Sequence, residues 1–156
     1  MLLEKLMKRN VCTCSPGDTL NRAAQIMWEG DCGFLPVVDE EQRVIGVVTD
    51  RDLLMGAFTQ GAALSASTVD TVMSRDVQRC GADASIGDVE RMMAKHQIRR
   101  IPVTDTSGKL HGVVTLGDLA RAAQSSAFEK AFGSLAISKT LATICEPRAP
   151  VGNAAE

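Results

Sequence analysis

The sequence predicts a mixed α/β (α+β) protein in which two pseudo-symmetric βαββα repeats pack sheet to sheet, with an added C-terminal helix. The main observation is an internal duplication. Shifted by 66 positions, residues 7–53 align with residues 73–119 without a gap. The identical pairs include Met7/Met73, Val11/Val77, Cys14/Cys80, Met27/Met93, Pro36/Pro102, Val37/Val103, Asp39/Asp105, Gly46/Gly112, Val47/Val113, Val48/Val114, Thr49/Thr115, Asp52/Asp118 and Leu53/Leu119. Self-similarity of this density marks a repeated structural unit. The second observation is that each copy shows a helical apolar period followed by two short β-rich runs. The third is size: a unit of about 50 residues leaves too much surface exposed to be stable alone, so the copies must share a core.

Each copy reads in the same order. A short strand is expected at residues 11–14 and again at 77–80. A helix follows, with Thr19 and Ser85 as N-caps and Asp88 placed three residues on as a capping-box partner. Leu20, Ala23, Ala24 and Met27 fall at i, i+3, i+4 and i+7, and Ile86, Val89 and Met93 repeat the stripe. Strands are expected at 34–39 and 44–49, and at 100–105 and 110–115, each pair forming a hairpin; Gly108 marks the second turn. A second helix starts at Asp50 or Arg51, and at Leu116 or Gly117. The Gly-, Ala- and Ser-rich stretch 56–68 reads as the connector. The organisation is therefore repeat 1 at 7–60, linker at 61–72, repeat 2 at 73–124, a C-terminal helix within 125–145, and a disordered tail at 146–156. That helix, residues 127–144, ends before Pro147.

The totals exclude several function classes. The net charge is −2, which gives no basic footprint for nucleic acid or an anionic membrane. The apolar fraction is 45 % but aromatics are only 3 % and tyrosine is absent. The core must be aliphatic, and bases would find few platforms to stack on. No apolar run approaches the ~20 residues of a membrane span. Residues 1–10 carry Glu4, Lys5, Lys8 and Arg9 where a secretory signal would be apolar. A cytoplasmic protein is expected, with its five cysteines as reduced thiols.

Four segments carry a family resemblance: Leu35-Pro36-Val37-Val38-Asp39, Gly46-Val47-Val48-Thr49-Asp50-Arg51-Asp52, Arg99-Arg100-Ile101-Pro102-Val103 and Gly112-Val113-Val114-Thr115-Leu116-Gly117-Asp118. They resemble the CBS domain, here as the tandem pair called a Bateman module, over about residues 7–124. The resemblance implies a non-catalytic regulatory protein. CBS pairs bind adenosine-containing ligands (AMP, ADP, ATP or similar) between the repeats, associate into disc-like homodimers, and pass occupancy to a partner protein.

The residues say where such a ligand would sit. Thr49 and Thr115 each close a strand, and Asp52 and Asp118 follow in the first helical turn. A helix start offers unpaired N–H groups and partial positive charge. A carboxylate there suits the two vicinal hydroxyls of a ribose, the use the family resemblance implies. The same Asp also stabilises its helix by about 0.3–1 kcal/mol without any ligand. The resemblance matches Arg99, Arg100, Ile101 and Pro102 with Thr49 and Asp52 as a first cleft, and a guanidinium fork suits phosphate. It matches Gly33, Phe34, Leu35 and Pro36 with Thr115 and Asp118 as a second cleft that lacks the cations. The two clefts should therefore be unequal. Thr13 and Arg79, near the ends of the first strands, are further candidates for lining them.

Three other readings remain open at this point. Arg99 and Arg100 also read as an exposed pair at a strand end, or as one paired with acidic residues. Cys12, Cys14, Cys80, His96 and His111 suggest zinc or thiol sensing, but the Cys spacing is not that of a structural zinc site, and buried thiols commonly act as small hydrophobes. No metal ligand set is assigned. The C-terminal helix, with Phe128, Phe132, Leu135, Ile137 and Leu141, packs either on the protein's own core or on a partner. No nucleophile elbow or phosphate-loop fingerprint accompanies the histidines, so catalysis is not expected.

Overall fold

The structure is a computed structural model and describes residues 3–123 and 137–146. Repeat 1 comprises α1 (Leu20–Glu29), β1 (Phe34–Val38), β2 (Val44–Thr49) and α2 (Asp50–Gln60). Repeat 2 comprises α3 (Ile86–His96), β3 (Arg100–Thr104), β4 (Leu110–Thr115) and α4 (Leu116–Ala123). A last helix, α5, covers residues 137–144.

The two copies fold in the same register. β1 pairs antiparallel with β2, Phe34 opposite Thr49 and Pro36 opposite Val47. β3 pairs with β4, Arg100 opposite Thr115 and Pro102 opposite Val113. Each hairpin shifts register at the same place, Val37/Val38 and Val103/Thr104. The helix caps fall where expected. Thr19 Oγ1 accepts from Arg22 N–H and Ser85 Oγ from Asp88 N–H. Leu20, Ala23 and Met27 point into one core cluster and Ile86, Val89 and Met93 into the other.

The expected first strands are reduced to single bridges. Cys14 N–H donates to Pro36 O, and Val38 N–H donates back to Cys14 O. The next rung towards Cys12 would need an N–H from Pro36, and a proline has none. Repeat 2 shows the same pattern, with Cys80 bonded to Pro102 O and receiving Thr104 N–H. The connector also starts later than expected. α2 continues through residues 56–60 and stops at Gly61, whose φ of 61° is the left-handed conformation that ends helices.

The repeats also exchange their leading segments. Leu3 and Met7 lie in the core cluster of repeat 2, whereas Val69 and Met73 lie in that of repeat 1. Lys8 and Val113 trade backbone bonds at 2.9 Å each, and Val47 and Ser74 do the same. Gly112 and Gly46 make this possible: a Cβ at Gly112 would come within 2.6 Å of Lys8 O, and one at Gly46 within 2.7 Å of Met73 Sδ. Between the hairpins, Val44 N–H donates to Gly108 O and Leu110 N–H to Gln42 O. At the opposite end of the sheets, the Arg100 guanidinium lies 5.9 Å from the centre of the Phe34 ring.

α5 covers the protein's own core. Ile137 is buried in the repeat 2 cluster and Ile144 packs against it. The Gln97 amide donates to Thr143 O and Glu146 O. Of the apolar residues assigned to this helix, Phe128, Phe132 and Leu135 lie outside the described residues, as does the expected tail from residue 147. No helix among the described residues is long and apolar enough to cross a membrane.

Candidate functional site

Each Thr-x-x-Asp element is a helix start built by mutual capping. In α2, Thr49 N–H and Oγ1–H both donate to Asp52 Oδ2, at 2.8 and 2.7 Å. Asp52 N–H returns to Thr49 Oγ1, completing a capping box. In α4, Thr115 N–H and Oγ1–H donate to Asp118 Oδ2 at 2.9 and 2.6 Å, and Asp118 N–H returns at 3.1 Å. In both copies one carboxylate oxygen is committed to the helix.

The second oxygens differ. Among the described residues, Asp52 Oδ1 has no hydrogen-bond partner. Asp118 Oδ1 accepts from the Arg121 guanidinium one turn further along α4. The Asp118 side chain is 6 % exposed and Arg121 lies over it with 64 % exposure. Position 55, the equivalent of 121, is Met.

The predicted lining residues are placed unevenly. Phe34 stands opposite Thr49 on the hairpin, and Arg100 reaches across the repeat junction to Phe34. Arg100 thus lies at the junction, opposite Thr115 on its own hairpin and against Phe34, which stands opposite Thr49. Arg99 is exposed, and its carbonyl accepts Leu116 N–H at 2.8 Å, so its backbone rests on the start of α4. Gly33 O likewise faces Asp50 N–H, at 3.5 Å. Leu35 and Ile101 are fully buried, and Pro36 and Pro102 are buried beside them. The side chains of these four are withdrawn from the surface. Arg79 lies at the hairpin end of the junction, bonded to Val44 O at 3.5 Å, at the far end of β2 from Thr49. Thr13 is half-buried beside the Cys14 bridge.

The thiols separate by burial. Burial pushes the Cys14 thiol up to about 12 and the Cys80 thiol up to about 11, with a smaller push from Asp18 and Asp83 respectively. Thiols held this far from ionisation are poor nucleophiles and poor ligands. Cys32 is also raised by burial, opposed by the Phe34 N–H and the Arg100 charge. Among the described residues no three His, Cys, Asp or Glu side chains converge as a metal site requires.

One feature escaped the sequence reading. A groove of about 600 Å³ opens between α1 and α2 of repeat 1, lined by Ala24, Trp28, Asp31, Leu53, Leu54 and Ala57 among others. Trp28, in its lining, is 88 % exposed, and Phe58, on α2, is 77 % exposed. Two large aromatics off the core stripe, in a chain so poor in them, were the available signal.

This architecture, two αββα units in the same register, each with a bridged leading segment and a Thr-x-x-Asp cap at its second helix, is that of a CBS pair. The CBS domain family model matches residues 3–57 and 69–125, and the chain belongs to that family. It is 34 % identical over 116 residues to Hypoxic response protein 1 of Mycobacterium tuberculosis, covering 74 % of this chain and 80 % of that one. The crystal structure of Hypoxic Response Protein I with two coordinated zinc ions superposes with a TM-score of 0.71 at 32 % identity, over 78 % of this chain and 98 % of the other. The CBS pair of protein MJ0100, in complex with 5-methylthioadenosine and S-adenosyl-L-methionine, gives 0.70 at 26 % identity, over 78 % and 94 %. CBSX2 in complex with AMP gives 0.69 at 28 %, over 78 % and 95 %.

Proposed function

We propose that this chain is a non-catalytic regulatory module that binds one of AMP, ADP, ATP or a similar adenosine compound and signals its occupancy to a partner protein. The ligand site is the cleft of Thr49, Asp52, Arg99 and Arg100, with the backbone of Ile101 and Pro102. The observation that carries this reading is the Asp52 carboxylate. Its Oδ2 is fixed by two bonds within the cap, from Thr49 N–H and Oγ1–H, while its Oδ1 is left to accept from ribose hydroxyls. The adenosine ligands named for MJ0100 and CBSX2 support the ligand class. Arg100, at the repeat junction, is the group suited to phosphate. Because the ligand would touch both repeats, occupancy favours whichever arrangement of the repeats binds it better, by no more than the difference in affinity.

The test is calorimetric titration and thermal shift with AMP, ADP, ATP and S-adenosylmethionine on wild type and Asp52→Ala. Losing hydrogen bonds to a charged acceptor costs about 1.5–3 kcal/mol, so affinity is expected to fall ~10–100-fold. If Asp52 serves only as a cap, the variant loses about 0.5–2 kcal/mol of stability and binds as wild type does.

The bare face of Trp28, Leu54, Met55 and Phe58 supports a homodimer as the functional form, since patches of this kind mark interaction sites. The same face is what favours the second reading, a partner-binding protein without a tight nucleotide. A zinc or thiol sensor would carry near-stoichiometric zinc when purified.

A further inference from the structure

We propose that Arg121 closes the second cleft, so that the chain binds one nucleotide and not two. The proposal rests on the adenosine-site reading given above and names what sets its stoichiometry.

The duplication supplies an internal control. Thr49–Asp52 and Thr115–Asp118 share every cap bond, and the carboxylates differ only at Oδ1. On Asp118 that oxygen is taken by a guanidinium, a charge-assisted bond to a nearly buried carboxylate. A ribose entering there would have to displace a cation and offer two neutral hydroxyls in its place. On Asp52 nothing has to leave. The position that would supply the equivalent cation is Met55, which has no donor.

One further feature favours the first cleft. Across the junction, the second cleft finds Gly33 and Phe34 where the first finds Arg99 and Arg100, so phosphate gains no cation from that side. Arg121 is thus a specificity-determining residue: its guanidinium does for Asp118 what a ribose would do.

Titration of the full chain with AMP and with ATP tests this directly. Wild type is expected to bind one equivalent and Arg121→Met, which installs the side chain found at position 55, two equivalents. Asp52→Ala should bind none tightly, and the double variant Asp52→Ala/Arg121→Met should regain one. Arg121→Leu, which likewise has no donor for the carboxylate, should behave as Arg121→Met does and guards against a folding defect in either. Two equivalents on wild type, or no added equivalent in both Arg121 variants, overturns the proposal while leaving the nucleotide reading intact. No saturable binding by any of the proteins overturns both.

Discussion

The two repeats share a backbone and differ in what covers it. Strand register, bulge position and the N-cap positions of the helices coincide residue for residue. The outer helical faces do not. In repeat 2, α5 lies over the end of α3, and Ile137, Ile98 and Ala123 close the cluster. In repeat 1 the corresponding face is an open groove flanked by Trp28 and Leu54, where repeat 2 has Ala94 and Ala120. Glu90 replaces Ala24, Leu116 replaces Asp50, and Arg121 replaces Met55. Duplication has kept what the hairpins and cores require and has changed what meets solvent, ligand or partner.

The largest effects should fall where the copies are alike. Leu20 and Ile86 are equivalent and both fully buried. Leu20→Ala and Ile86→Ala should each cost about 2–5 kcal/mol in urea unfolding. Ile137→Ala, which has no counterpart in repeat 1, should cost about 2–4 kcal/mol by the same mechanism. If Ile137→Ala is silent while Ile86→Ala is not, α5 does not close repeat 2 in solution and the contrast between the faces disappears.

A smaller effect, of opposite sign, is expected at Glu90. This carboxyl is 8 % exposed, and its Oε1 has no hydrogen-bond partner among the described residues. Burial raises its pKa above the ordinary 4.5. The folded chain therefore holds this proton to higher pH than the unfolded chain does. Its stabilising contribution is complete below the unfolded value and is lost as pH rises through the folded one. Glu90→Gln should raise stability at neutral pH by about 1 kcal/mol and flatten the pH dependence above 4.5. An unchanged or steeper stability–pH curve in the variant would show that the carboxylate is paired in solution. The equivalent Ala24 offers no such handle, so the effect belongs to repeat 2 alone.

Much of this was legible in the sequence, for identifiable reasons. Thr49-x-x-Asp52 and its copy could be placed at helix starts because capping is a local matter of side chain and spacing. The hairpins followed from β-branched runs around a polar turn. Residues 11–14 and 77–80 misled because their composition suits a strand, while the limit on pairing lies in Pro36 and Pro102 of the partner strands. The exchange of leading segments was invisible for a deeper reason. Met7 and Met73 are identical, so either fits either core, and only Lys8 and Ser74 pairing with the opposite repeat resolves it. Arg121, three residues after Asp118, carries no sequence signal of its own. Its meaning appears only once Asp118 is seen to be buried with its other oxygen already committed.

The smallest effect probes the open face. Trp28 is 88 % exposed, so in an isolated chain Trp28→Ser should change stability by no more than about 0.5 kcal/mol. A homodimer seated on this face predicts otherwise: wild-type stability would depend on protein concentration, and removing Trp28 would raise the concentration at which the protein dissociates in sedimentation and weaken that dependence. The substitution Ala94→Ser at the equivalent site of repeat 2 controls for a general loss of helix propensity. Should Trp28→Ser leave both sedimentation and stability unchanged, the apolar groove is not an interface between copies of this chain. The difference between the two repeats would then bear on a different protein partner, one that the open helices of repeat 1 would meet and that α5 excludes from repeat 2.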